Sequence, residues 1–181
     1  MCIRDSHPLS YWKYMHETFF SKLDPALGFR EANAHFPDPS GPERYDPEIA
    51  AAGGLDLQLL GIGFNGHIAF NEPMGEDEIS VEEFGALPTR VLPLSRATID
   101  QNTRLTAGGD ESLMPKYAAT MGMAPILAAK KCLLLACFAE QEAPLRAIFA
   151  KSAPTPFLPA SYLWRHPDYH LIYTTDKISL G

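Results

Sequence analysis

The sequence has few of the features that mark secreted, membrane-spanning or nucleic-acid-binding proteins. Only three of its 181 residues are cysteines, and two of them, Cys132 and Cys137, lie in an apolar run where thiols usually serve as small buried hydrophobes. No apolar run approaches the ~20 residues that span a bilayer, and the amino terminus lacks the apolar core of a secretory signal. The chain has no Lys/Arg cluster and carries a net charge of −7. We therefore expect a cytoplasmic protein that binds neither nucleic acid nor membranes.

The composition is that of a globular domain. The chain is long enough to bury a sizeable core, and 46% of its residues are hydrophobic. Residues 1–6, with the sequence MCIRDS, show no periodicity and are interpreted as a leader that is unrelated to the domain. We expect a single domain over residues 7–181.

The order of apolar segments predicts an α/β fold. Strands are predicted at Leu55–Ile62, Arg90–Leu94, Cys132–Phe138 and His170–Thr174, and helices at Tyr11–Leu23, Arg44–Ala52, Ala97–Thr103, Ala124–Lys130, Glu140–Lys151 and Pro159–Trp164. Alternating strands and helices indicate a parallel sheet with helical crossovers. Loops or turns are expected over residues 25–43 and 115–122, and a mobile acidic excursion over residues 75–88. Only about three strands are convincing, where about five or six are usual.

A polar cluster follows the predicted strand Leu55–Ile62, which is interpreted as a central strand of the sheet. Gly63 and Gly66 let the backbone turn and approach a ligand closely. Four polar side chains then lie within eight positions, namely Asn65, His67, Asn71 and Glu72. Because ligands bind beyond the carboxyl ends of strands in open α/β sheets, the cluster is a candidate site.

His67 and Glu72 are the residues in this cluster that are best suited to proton transfer. If the intervening segment turns back, the carboxylate would fix the imidazole tautomer and suit the ring to proton shuttling near neutral pH. Asn65 would hold the assembly or bind a sugar hydroxyl. The alternative is that His67 and Asn71 merely satisfy backbone groups of the loop.

Metal and nucleotide sites fit the sequence less well. No second His or Cys stands near His67 at a spacing typical of metal ligands. The glycine-rich loop lacks the Lys-Ser/Thr ending of a P-loop and does not match the dinucleotide-binding pattern. Arg104 follows a predicted helix and could bind a phosphate with bidentate geometry, although on its own it is more typical of a solvated surface arginine.

The motif GIGFNGHIAFNEP at residues 61–73 closely resembles the signature of the glucosamine-6-phosphate deaminase family, which includes relatives assigned to galactosamine 6-phosphate. The resemblance continues in the same order through HPLSYWKYMHETFF, GGLDLQLLGIG, TIDQNTR, MPKYAATMGMAPIL and FLPASYLWRHPDY. It covers nearly the whole chain from His7 to about Tyr173.

The resemblance implies a chemistry and a set of roles. Members of the family convert an amino-sugar phosphate to a ketose 6-phosphate and release ammonia by aldose–ketose isomerisation, without a metal or an organic cofactor. The resemblance assigns opening of the sugar ring to His67, supported by Glu72 and Asn65. It makes Arg104 a phosphate ligand, and Gly63, Gly66 and Asn71 further substrate-binding residues.

The resemblance also exposes differences. The family's base for the C2 proton is the Asp of an Asp-Glu-Tyr or Asp-Glu-Trp motif, which is absent before His7 and which Asp5 does not replace. The amino-terminal strands and the Thr-Gly-Gly phosphate loop are also absent. Glu140 or Gln141 stands where the family carries a phosphate-binding lysine. We expect an amino-terminally truncated chain that turns over substrate poorly alone.

The sequence pattern predicts a Rossmann-like parallel sheet flanked by helices. The resemblance implies that it lacks the first strands of the family fold and belongs to an amino-sugar-phosphate deaminase. Two alternatives stay open, namely a hydrolase like 6-phosphogluconolactonase and a catalytically inactive sugar-phosphate sensor. The sequence does not distinguish glucosamine from galactosamine configuration. It also leaves the oligomeric state open, a homo-oligomer included.

Overall fold

The computed structural model describes residues 9–150 and 153–180, and these separate into two compact units. The first unit consists of the chain up to Tyr45 together with Arg90–Thr120. The second unit consists of Asp46–Thr89 together with the chain from Met121 onward. The predicted leader, with Asp5, lies outside the described residues. The leader and the single domain from residue 7 onward therefore stay predictions.

The described residues contain six α-helices and five strands. The helices are α1 (Tyr11–Thr18), α2 (Tyr45–Ala51), α3 (Val81–Gly85), α4 (Arg96–Leu105), α5 (Met123–Leu127) and α6 (Glu142–Ala150). The strands are β1 (Gln58–Gly61), β2 (Arg90–Pro93), β3 (Tyr117–Thr120), β4 (Cys132–Ala136) and β5 (Tyr169–Tyr173). Short 3-10 helices lie at Phe20–Lys22, Pro25–Leu27, Glu31–Asn33, Pro42–Arg44, Glu111–Leu113, Ala139–Gln141 and Pro159–Arg165. Within this described part, no helix is both long and apolar enough to cross a membrane.

The second unit is built on a three-stranded parallel sheet in the order β1-β4-β5. Leu134, at the middle of β4, is opposite Leu60 of β1 and Leu171 of β5. Leu134 is fully buried, in one cluster with Ile126 of α5 and Leu145 of α6. Burial of these apolar side chains removes them from water and is the main source of stability. The prediction of an α/β fold with a parallel sheet flanked by helices is confirmed.

Some side chains of the sheet are more exposed than the sequence predicts. Among the described strands β1 lies at the edge of the sheet rather than in its centre. Side chains alternate between the two faces of a strand, so Leu60 is buried whereas Leu59 is 57% exposed.

Of the two cysteines that the structure describes, Cys132 is buried, and burial raises the pKa of its thiol to about 11. Cys137 lies past the end of β4 and is exposed, so the prediction of a buried thiol is wrong there.

The first unit combines α1 and α4 with an antiparallel pair of strands, β2 and β3. The side chain of Ser10 accepts a hydrogen bond from the backbone N–H of Lys13 and caps α1. Arg90 of β2 is opposite Thr120 of β3. The strand β3 replaces the turn expected over residues 115–122. Its sequence, YAAT, is too short and too rich in alanine to show a strand period.

The acidic segment of residues 75–88 is not a solvated excursion throughout. It contains α3, which places the ring of Phe84 in the core with no exposed surface. The Phe84 ring lies 5.4 Å from the ring of Tyr162, whose hydroxyl donates to the backbone carbonyl of Val81 at 2.8 Å. The Phe84 ring and the partly buried side chain of Val81 pack against the core and fix a helix whose two remaining side chains are acidic, which is why composition alone misled the prediction.

A capping box begins α3, and we predict that removing it lowers the stability of the protein. The backbone N–H of Glu83 donates to the Ser80 hydroxyl, and the Ser80 hydroxyl and backbone N–H both donate to the Glu83 carboxylate. We expect Ser80→Ala to lower the free energy of unfolding by about 1 kcal/mol, measured by urea denaturation. Ser21→Ala is the matched control, because the Ser21 hydroxyl bonds only a neighbouring exposed carbonyl.

The same box makes the effect pH-dependent. The hydrogen bond from the Ser80 hydroxyl, followed by the one from its backbone N–H, holds the pKa of Glu83 below its usual value. The stabilisation from the Glu83 carboxylate is therefore present at neutral pH and is lost as the pH falls through the lowered pKa. We expect the difference between wild type and Ser80→Ala to shrink in acid. An unchanged difference would contradict the role of the Glu83 carboxylate.

Candidate active site

The predicted polar cluster lies in one loop at the carboxyl end of β1, within the second unit. The loop begins at Ile62, directly after the last strand residue. Ligands of α/β proteins bind beyond this end of the strands. The side chains of His67 and Glu72 are only 14% and 15% exposed, and Asn65 is also partly buried. The structure thus brings three predicted residues together in a partly desolvated loop.

Asn65 connects the imidazole of His67 to the carboxylate of Glu72. Oδ1 of Asn65 lies 2.7 Å from Nδ1 of His67 and also accepts the backbone N–H of His67 at 3.2 Å. Nδ2 of Asn65 donates to Oε2 of Glu72 at 2.8 Å. The segment after His67 turns back far enough to bring Oε2 of Glu72 within 3.6 Å of Nδ1 of His67. The imidazole ring is closer to Asn65 than to Glu72. Asn65 therefore mediates much of the interaction between His67 and Glu72.

These contacts determine which ring nitrogen of His67 carries a proton. An ionised carboxylate only accepts hydrogen bonds, so the amide NH₂ of Asn65 faces Glu72 and the amide oxygen faces His67. Because that oxygen also only accepts, Nδ1 of His67 is the donor. Nε2 of the neutral ring then holds a free electron pair. The arrangement can take up and return a proton at Nε2 while the charge of Glu72 stabilises the protonated ring.

Two glycines shape the loop around His67. The imidazole ring lies against Gly63, where an added Cβ would overlap ring atoms of His67. The backbone N–H of Gly63 donates to the carbonyl of His67 at 2.9 Å and closes the turn. Gly66 has φ +86°, a conformation that favours glycine, and a Cβ there would overlap Leu158. Both glycines have a structural reason in the loop, and direct substrate binding by them stays a prediction.

Asn71 secures the far side of the same loop from inside the protein. Its side chain is fully buried, and Nδ2 donates to the backbone carbonyls of Ile68 at 3.1 Å and Met121 at 2.9 Å. Ala69, which lies between Ile68 and Asn71 in the sequence, has φ +51°, which is uncommon for a residue with a side chain. A side chain with no exposed surface cannot contact a substrate in this structure. We therefore assign Asn71 to holding the loop instead of to substrate binding.

The sequence is similar to known glucosamine-6-phosphate deaminases over nearly its whole length. The chain is 37% identical over 180 residues to the glucosamine-6-phosphate deaminase of Thermoanaerobacter pseudethanolicus, an alignment that covers 96% of this chain and 65% of that protein. It is 34% identical over 177 residues to the glucosamine-6-phosphate deaminase of Lysinibacillus sphaericus, covering 94% of this chain and 68% of that protein. The chain belongs to the glucosamine-6-phosphate deaminase family. No protein-family model matches the sequence.

Solved structures of this family and of a second one share the fold. A monomeric glucosamine-6-phosphate deaminase superposes with a TM-score of 0.85 at 29% identity, over 99% of this chain and 70% of that one. The 6-phosphogluconolactonase of Thermotoga maritima has a TM-score of 0.62 at 22% identity, over 94% of this chain and 67% of that one. At this identity the comparison shows only that the two folds are similar. The chain spans slightly less than two thirds of the first deaminase named above.

Gln141 is a residue of this deaminase-family chain whose structural role the sequence does not reveal. From the resemblance, Glu140 or Gln141 stands at the position of a phosphate-binding lysine. In the structure the Gln141 amide is engaged by the protein itself, since Oε1 accepts the backbone N–H groups of Cys137 and Phe138 and Nε2 donates to the carbonyl of Ile62. The contact with Ile62 joins residues 79 positions apart. A pairing at such a separation leaves no local pattern in the sequence.

Arg104, the remaining predicted site residue, belongs to the first unit. It lies in the last turn of α4 with an exposed side chain, and its guanidinium donates to Oε1 of Gln101 at 3.1 Å. Its role as a phosphate ligand stays a prediction. Within residues 9–150 and 153–180, no group of three or more His, Cys, Asp or Glu side chains is arranged to hold a metal ion.

Proposed function

We propose that this chain takes part in the conversion of an amino-sugar 6-phosphate to the ketose 6-phosphate with release of ammonia. One observation carries the proposal, namely the hydrogen-bonded series His67, Asn65 and Glu72 in a chain of the glucosamine-6-phosphate deaminase family. Exchange of the amine for a ketone needs proton transfer from C2 to C1, addition of water at C2 and cleavage of the C2–N bond, through which ammonia leaves. The proposed chemistry therefore requires no metal and no organic cofactor.

His67 is proposed to open the sugar ring. Nε2 takes the proton of the C1 hydroxyl, the C1–O5 bond breaks to give the aldehyde, and the same nitrogen returns that proton to O5. The imidazole is thus positively charged only transiently, between uptake and return of the proton. Glu72 stabilises the charged ring, and Asn65 holds Nδ1 as the donor throughout. Proton transfer by a positioned group of this kind contributes about 10² to 10⁴ in rate.

Ring opening is the step that we assign to this chain. We assign removal of the C2 proton to none of the residues that the structure describes, and slow ammonia release from the chain alone stays a prediction. Cytoplasmic location is proposed from the two described cysteines, which are both unpaired. A homo-oligomeric state stays a prediction.

Exchange NMR on the sugar phosphate tests the proposal. The α and β anomers of glucosamine 6-phosphate interconvert through the open chain, so a ring-opening catalyst speeds the exchange between their anomeric protons. We expect faster exchange in the presence of the protein, with galactosamine 6-phosphate run in parallel and ammonia measured in the same samples. Binding without faster exchange would favour the sensor, and hydrolysis of 6-phosphogluconolactone would favour the lactonase.

Glu72→Gln separates the charge of Glu72 from its hydrogen bond. The amide oxygen still accepts from Asn65, but the negative charge 3.6 Å from Nδ1 of His67 is lost. We expect anomer exchange to slow by about 10- to 100-fold, because the protonated ring loses its counter-charge in a partly buried place. Glu142→Gln is the control, since that carboxylate pairs with Arg146 on α6. Equal rates for wild type and Glu72→Gln would contradict the assigned role.

A further inference from the structure

Gln141 ties together the ends of two neighbouring parallel strands. Its Oε1 accepts the N–H groups of Cys137 and Phe138, at 2.8 and 2.9 Å, where the chain leaves β4. Its Nε2 donates at 2.8 Å to the carbonyl of Ile62, where the chain leaves β1. Only a side chain with both a donor and an acceptor can make this set of contacts, and an amide has both.

The contact with Ile62 reaches His67 through a single peptide group. The carbonyl of Ile62 and the N–H of Gly63 belong to the same planar peptide unit, so the direction of one fixes the direction of the other. Gln141 holds the carbonyl, and the N–H donates to the carbonyl of His67 at 2.9 Å. The ring of His67 lies against the α-carbon that follows this peptide.

We propose that Gln141 is a positioning residue for His67. By fixing the plane of the Ile62–Gly63 peptide, it fixes both the hydrogen bond to the His67 backbone and the surface on which the imidazole rests. The catalytic consequence rests on the proposed function. The coupling between Gln141 and the loop does not, and it is measurable in the protein without any substrate.

Three substitutions separate the two halves of the amide. Gln141→Glu keeps the acceptor and loses the donor to Ile62, whereas Gln141→Lys keeps a donor and loses the acceptor. Gln141→Met is uncharged and loses both. Gln58→Glu is the matched control, because the Gln58 amide also donates to a backbone carbonyl, that of Leu59 at 3.0 Å, but at the start of β1.

Amide hydrogen exchange at Gly63 is the first measurement. Loss of one supporting hydrogen bond is expected to speed exchange of the Gly63 N–H by about tenfold in Gln141→Glu and Gln141→Met, with much smaller changes in Gln141→Lys and Gln58→Glu. The ¹⁵N resonances of the His67 ring are expected to shift in the same two variants. Unchanged exchange in Gln141→Met, or an equal rise in Gln141→Lys, would overturn the proposal.

Kinetics separate this proposal from the proposed function. In Gln141→Met the rate of anomer exchange at saturating sugar phosphate is expected to fall about tenfold, with the affinity for the sugar phosphate unchanged. A fall in affinity alone would show that Gln141 acts on the substrate instead of on His67. If the wild type catalyses no exchange while Gly63 responds as expected, the positioning role stands and the proposed function fails.

Discussion

His67→Ala is expected to slow anomer exchange of the sugar phosphate by about 10²- to 10⁴-fold, the contribution of a positioned acid–base group. The substitution removes Nε2, which has a free electron pair because Nδ1 is the nitrogen that donates to the amide oxygen of Asn65. No other imidazole is held in this loop between Ile62 and Glu72. Affinity for the sugar phosphate is expected to change little, because the ring contributes to the reaction more than to binding.

His170→Ala is the control for this experiment. Nε2 of His170 lies 2.8 Å from Oδ1 of Asp168, so the control also breaks a pairing of imidazole and carboxylate, at the start of β5 and outside the loop. His67→Gln is made beside His67→Ala, because it keeps much of the side-chain volume if alanine weakens the fold. Melting temperatures of all variants report folding. Exchange at the wild-type rate in both folded His67 variants would remove His67 from the mechanism.

The sequence foretold the parallel sheet well because its strands are short apolar runs. Leu134 and its neighbours form an apolar run that predicts β4. Because side chains alternate between the two faces of a strand, every second residue of this run is buried. Sequence alone fails where a long-range contact decides. Phe84 converts an acidic segment into α3 by inserting one ring into the core, and YAAT becomes β3 only by pairing with β2. The pairing of β3 with β2 has no local signal, whereas the Ser-x-x-Glu spacing of Ser80 and Glu83 is a local signal for the start of α3.

The candidate site shows the same division. Asn65, His67 and Glu72 are close in sequence, so a single turn brings them together, and the motif was enough to group them. The mediating position of Asn65 required the geometry, since the sequence equally allowed direct pairing of His67 with Glu72. Gln141 lies far along the chain and meets the loop only because β1 and β4 are neighbours in the sheet.

Gly63→Ala is expected to impair ring opening nearly as much as loss of the imidazole, by about 10²-fold or more. The backbone of Gly63 does not have positive φ, so alanine is compatible with its conformation. The obstacle is the added Cβ, which would overlap the ring of His67. Either the ring leaves its position beside Asn65, or the loop shifts at a cost of about 1–3 kcal/mol in stability.

Gly61→Ala is the matched control, because it adds the same methyl group two residues earlier, where a Cβ would meet no atom within 4 Å. We expect that variant to keep the wild-type exchange rate and the ¹⁵N resonances of the His67 ring. In Gly63→Ala the ring resonances should change together with the rate, since both depend on the contact between Nδ1 and Asn65. A Gly63→Ala protein with a displaced ring but unimpaired exchange would show that the position of His67 is not what drives ring opening.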